Sequence, residues 1–139
     1  MWCIDHVLYR DIIEAYFKIN NATDVNQLVG TELRKLDREY LLAIYLTNRK
    51  VIDVEVLAIG TLSQVPVHPR EVIKSTILAN VHSFILVHNH PSGDLQSTKE
   101  DHKKTEEWYS HRFFCGMIEV GRLMKILFKD FTIIGEDWF

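Results

Sequence analysis

Residues Ser83 to Asp101 read SFILVHNHPSGDLQSTKED, and the change of texture at His88 decides how the chain folds. SFILVH is a continuous apolar run of strand length that ends in polar residues, the pattern of a strand buried on both faces and therefore central in a sheet. HNHPSGDLQS is rich in turn formers and reads as a loop. Thr98 with Asp101 three residues later makes a capping-box-like start for a helix that runs through Trp108, Phe113 and Met117 to about Met124, with Gly116 and Gly121 interrupting its pattern. Upstream, Val72, Ile73, Ile77, Leu78 and Val81 form an apolar stripe on a helix that begins at Pro69 and ends near Asn80. Before it, YLLAIYL at Tyr40–Leu46, a turn at Asn48 and Arg49, and a β-branched run from Val51 to Ile59 predict a hairpin with one buried strand. Residues 8–19 and 24–36 carry apolar positions at helical spacing, and Ile126–Phe128 and Phe131–Ile134 read as closing strands.

The chain has 139 residues, 47% hydrophobic and 25% charged, which excludes disorder and fibrous repeats and predicts one globular domain. No Pro/Gly/Ser linker or internal repeat divides it. Its two cysteines, Cys3 and Cys115, are far apart, so neither a disulfide scaffold nor a cysteine-only zinc site is expected. A net charge of -3 is not that of a protein that coats nucleic acid, although it leaves room for a local basic patch. No apolar run reaches the roughly 20 residues of a membrane span, and the N-terminus lacks the plan of a signal peptide. A cytoplasmic protein without membrane contact is the expectation.

His88 and His90 are separated by one residue at the end of an extended run, and side chains at i and i+2 of a strand share a face. Asp101 follows eleven residues after His90, within reach if the HPSG turn folds the next helix back over the strand end. Two imidazoles and a carboxylate suit catalytic zinc, which takes three nitrogen or oxygen ligands and leaves a position for water. The same set suits non-haem Fe(II). Hydrolysis of an amide also needs a base to move the proton of the attacking water. Glu39, just before YLLAIYL, is the candidate if its strand lies beside SFILVH, and Glu55 and Glu71 are its competitors.

Glu39 before YLLAIYL, followed by HNHPSGDLQSTKED, resembles the JAMM metalloprotease signature of JAB/MPN domains, a glutamate preceding H-x-H-P-x6-S-x-x-D. GTLSQVPVHPREVIKSTILANVHSFILVHNHPSGD is similar to the RadC branch of that family, and the likeness covers about residues 36 to 135. It implies a three-layer α-β-α domain with a mixed central sheet, like that of cytidine deaminases. It also implies zinc on His88, His90 and Asp101, a water in the fourth position held by Glu39, and an oxyanion donor at position 98. Residues 1–35 then form a helical segment packed on a 36–139 metal-binding domain. The family's JAMM members hydrolyse peptide or isopeptide bonds, whereas RadC proteins carry a DNA-repair label.

The chain departs from the pattern in three places. Thr98 stands for the usual serine, keeping a hydroxyl donor but adding a methyl group. Asp130 and Phe131 occupy the place of an Asp-His pair and come 29 residues after Asp101, which implies a helix longer by about 10 residues, near three turns. The sequence stops at Phe139, without the tail usual in RadC proteins.

Simpler readings stand beside these. Asp101 can serve as a helix cap with Thr98. His6, His68, His82, His102 and His111 have no partner at ligand spacing and read as surface or capping residues; His102 would point about 100° away from Asp101 on a helix. Ser92 tightens the HPSG turn and Gly93 supplies a positive φ. Trp108, Tyr109, Phe113 and Phe114 read as core, with a dimer or partner surface second. The sequence therefore predicts a zinc metallopeptidase or isopeptidase acting on a peptide or protein substrate. The alternative is a non-catalytic, metal-stabilised module in DNA repair or mobile-element biology.

Overall fold

The computed structural model describes residues 17–60, 68–91 and 111–135. β1 (Tyr40–Thr47), β2 (Lys50–Ile59), β3 (Ser83–Asn89) and β4 (Leu127–Ile134) form one four-stranded sheet in the order β2-β1-β3-β4. β1 is antiparallel to β2 and β3, and β3 is parallel to β4, so the sheet is mixed. All seven residues of β3 are buried, as its unbroken apolar run predicts for an interior strand. The β1–β2 turn has positive φ at both Asn48 and Arg49, the backbone of a type I′ hairpin.

Side-chain alternation divides the interior into two cores. Leu42, Ile44 and Leu46 of β1 with Ile85 and Val87 of β3 face Val25, Val29 and Leu33. Val25 belongs to α1 (Ala22–Val25) and Leu33 to α2 (Thr31–Arg34), and Val29 lies in the π-helical stretch Asn26–Gly30 that joins them. Leu41, Ala43, Tyr45, Phe84 and Leu86 point the other way, against Val72 of α3 (Pro69–Ala79) and Phe113 and Met117 of α4 (His111–Met124). The result is three layers, α-β-α. Each fully buried aliphatic side chain contributes roughly 1.5–3 kcal/mol, and a one-residue slip of β1 would exchange its two faces, so the register is held firmly. Among the described residues no helix is long and apolar enough to cross a membrane.

Several elements differ from the sequence reading. Residues 17–19 are extended, not helical: Lys18 bridges Lys50, Ile19 N donates to Arg49 O and Val51 N to Phe17 O. Pairing with the open edge of β2 overrides their helical spacing; residues 8–16 lie outside the described residues. The 24–36 helix instead starts at Ala22, because Asn21 Oδ1 accepts from Asp24 N. On α3 the buried positions are Val72 and Thr76, while Ile77 and Leu78 are exposed. Thr76 is accommodated because its hydroxyl donates to Val72 O at 2.8 Å. The two closing strands are a single β4, continuous across a bulge that leaves Lys129 without a partner between Phe128 and Asp130.

α4 runs unbroken through Gly116 and Gly121 to its expected end at Met124. Its last turn closes with Lys125 at φ 56, Ile126 N donating to Gly121 O and Lys125 N to Arg122 O, the two bonds of a Schellman motif. A Cβ on Gly121 would stand 2.4 Å from Ile126 O. Gly121→Ala is therefore expected to destabilise the fold by about 1–3 kcal/mol, measured by urea unfolding; an unchanged midpoint would show that the helix end yields without cost.

Candidate metal centre

The β1/β3 register sets Leu41 opposite His88. Alternation then places Glu39, His88 and His90 on one face, where the sheet ends and the α3–α4 core stops. His88 Nε2 lies 3.6 Å from Glu39 Oε2. The rings of His88 and His90 meet edge to face with centroids 5.0 Å apart. One donor atom from each of the three residues lies within 4.8 Å of the other two, so this group could hold a metal ion. Glu39 and His88 are buried at 9% and 3% exposure. A carboxylate this enclosed needs a charged or hydrogen-bonding partner.

The backbone around the group is held on three sides. Glu39 O accepts from Gly60 N at 2.8 Å, and His90 N donates to Ile134 O at 2.9 Å, tying the end of β3 to β4. Between the histidines, Asn89 points to the opposite face of the sheet. There its Oδ1 accepts from Tyr40 N at 2.6 Å and its Nδ2 donates to Arg38 O at 2.8 Å. A longer contact runs from Nδ2 to Leu33 O at 3.5 Å. Asn89 thus grips the residues before and after Glu39. The sequence reading missed it, although the signal was present: a residue between two same-face histidines must point to the other face, and an amide buried there needs backbone partners.

Burial lowers the pKa of His88 below its ordinary value of 6.5, and the neighbouring Glu39 offsets this only in part. The neutral imidazole keeps a lone pair for a cation. In the metal-free chain, protonation of His88 is favoured in the unfolded state. Its contribution to stability is thus complete above pH 6.5 and declines as pH falls toward the lower folded value. Stability of the metal-free chain measured between about pH 7 and pH 5 should fall more steeply than that of His88→Gln; equal slopes would show that His88 does not carry the effect.

The structure brings Glu39, His88 and His90 together, whereas Thr98, Asp101, Ser92, Gly93 and His102 lie outside the described residues. So do Trp108 and Tyr109. The competitors of Glu39 are engaged elsewhere. Glu55 Oε2 accepts from the Tyr45 hydroxyl at 2.7 Å, and burial together with that carboxylate raises the Tyr45 pKa so that it stays a donor. Glu71 closes a capping box with His68, whose Nδ1 accepts from Arg70 N; the capping reading of His68 holds. Asp130 is exposed and its Oδ1 accepts from Phe131 N. Phe131 stacks at 6.4 Å from His88 and meets Phe114 edge to face at 5.4 Å, so the aromatic residue in the place of the family histidine walls the site. Phe113 is core and Phe114 half-buried beside it.

Comparison with known sequences agrees with this geometry. The chain is 41% identical over 120 residues to a UPF0758 protein of Methanococcoides burtonii, covering 86% of this chain and 48% of that protein. A UPF0758 protein of Desulforamulus reducens is 43% identical over 117 residues, covering 84% and 48%. One from Protochlamydia amoebophila is 39% identical over 129 residues, covering 92% and 52%. The chain spans about half the length of these curated relatives. The sequence profile of the RadC-like JAB domain matches residues 19–139, and with the α-β-α sheet and the Glu39, His88, His90 group at its end, the chain belongs to the RadC-like JAB domain family.

Proposed function

We propose that the chain is a zinc-dependent hydrolase of the JAMM type that cleaves a peptide or isopeptide bond. The observation that carries this reading is the convergence of Glu39, His88 and His90 within 4.8 Å on a buried sheet end. Donors about 2.0–2.1 Å from a tetrahedral zinc stand about 3.4 Å apart; Glu39 Oε2 and His88 Nε2 are already at 3.6 Å. Two imidazoles with a carboxylate beside them are therefore close enough together to surround one ion. When bound, zinc supplies a Lewis acid for the substrate carbonyl and brings the pKa of a coordinated water near 7.

The chain's own residues do the rest. His88 and His90 offer neutral imidazole nitrogens, and Asp101 supplies the third ligand. Glu39 takes the proton of the attacking water and returns it to the leaving amine. The Thr98 hydroxyl donates to the carbonyl oxygen as negative charge develops there. Phe131 keeps bulk water from the His88 side, which strengthens each of these interactions.

The short Glu39–His88 separation also supports a second reading, in which Glu39 is itself a ligand and the chain is a metal-stabilised module without hydrolytic activity. Elemental analysis of the purified chain, then peptide and isopeptide hydrolysis before and after chelation, tests the first reading. One zinc per chain and chelator-sensitive turnover restored by zinc are expected. Failure to retain zinc at equimolar supply would overturn both.

A further inference from the structure

β3 runs about 20 Å from Ser83 to the histidines, and the end of the sheet where it begins carries cations that the metal chemistry does not use. Arg49 in the β1–β2 turn and Lys129 in β4 line one open concavity of roughly 550 Å³, together with Asn48, His82 and Ser83. A neighbouring concavity of roughly 290 Å³ is lined by Arg122 and Lys125 and shares His82 and Leu127 with the first. Among the described residues no carboxylate stands at ion-pair distance from any of these four cations. Among those residues the Arg49 guanidinium donates to a neutral group, the Asn20 amide oxygen at 3.1 Å.

Two backbone irregularities hold the cations in place. Arg49 has φ 66, a left-handed conformation in the turn position where glycine is favoured. Lys129 is the residue extruded by the β4 bulge, a device that re-aims a side chain. Two such irregularities at one end of a chain whose net charge is -3 mark a surface kept positive for a ligand.

We propose that this end of the sheet binds a nucleic-acid strand through successive phosphates. Two concavities with a shared wall, each holding two cations, match linked phosphates better than a single anion. Leu127, 59% exposed, and His82 between them offer a base an apolar platform. The acidic remainder of the chain confines the contact to this end. Arg122 and Lys125 also offset the dipole of the α4 C-terminus, so Arg49 and Lys129 carry the test.

Fluorescence anisotropy of a labelled single strand of about 20 nucleotides with the full chain, from about 50 to 200 mM salt, is the measurement. Affinity should weaken with salt, with a log-log slope of about -0.7 for each phosphate neutralised. Arg49→Gly and Lys129→Ala should each reduce the slope by about 0.7 and weaken binding roughly fivefold or more. Glycine suits the positive φ at position 49, so Arg49→Gly should bind less tightly while its Tm stays equal or rises, a combination that unfolding cannot produce. The proposal is overturned by absence of binding at about 50 mM salt. It is equally overturned by unchanged affinity in the double variant, or by displacement with inorganic phosphate at equal phosphate concentration.

Discussion

Glu39→Gln should retain zinc at the native stoichiometry and lose about 10²–10⁴ in kcat, equivalent to roughly 3–5 kcal/mol of barrier. Glutamine keeps the shape of the side chain and its contact with His88 but cannot accept the proton of water. Its backbone anchors, Gly60 N on the carbonyl and the Asn89 clamp on both neighbours, do not involve the carboxylate, so the fold should be indifferent to the change. Metal analysis and turnover on the same preparation separate the two readings of the site. Zinc retained with turnover lost assigns Glu39 as the base. Zinc lost makes Glu39 a ligand and favours the non-catalytic module. Turnover at the native rate would remove Glu39 from the chemistry altogether.

Asn89→Ala is expected to destabilise the chain by about 2–5 kcal/mol, because it strands a buried donor at Tyr40 N and a carbonyl at Arg38, each costing roughly 1–3 kcal/mol. Asn89 is 1% exposed, so water cannot replace the amide. Asn89→Asp probes the direction of the bonds. It keeps an acceptor for Tyr40 N but turns a carboxylate toward Arg38 O and Leu33 O, where the native amide donates. It should therefore be no better tolerated than alanine. Since Asn89 stands between His88 and His90, loss of its bonds frees the backbone that carries both imidazoles, so zinc affinity should fall in both variants under conditions where they remain folded, although neither alters a proposed ligand. Urea unfolding with zinc titration checks this. A loss below about 0.5 kcal/mol, the level of an ordinary surface substitution, would show that the amide is not what holds residues 38–40.

Periodicity was enough to read the interior of this protein but not its edges. SFILVH announced a strand buried on both faces, and alternation along YLLAIYL contained both cores. Residues 17–19 had helical spacing yet pair with β2, because an open strand edge offers backbone bonds that no local pattern records. The apolar stripe on α3 includes two exposed positions, Ile77 and Leu78, while Thr76, which carries a hydroxyl, is buried. Lys129 in its bulge and Arg49 at positive φ leave no trace in hydropathy at all.

The linear chain alone settled that His88 and His90 share a face, because a period of two is a property of extended backbone and needs no partner. It also settled the family, through residues whose spacing is covalent. Only the tertiary structure decided that Glu39 belongs to that pair. It stands 49 positions before His88, and the antiparallel register of β1 on β3, with Asn89 gripping Arg38 and Tyr40, brings the carboxylate to 3.6 Å from an imidazole. Contacts within one strand follow from local geometry, whereas contacts between strands follow from which faces must be buried together, and that is decided by the whole core at once.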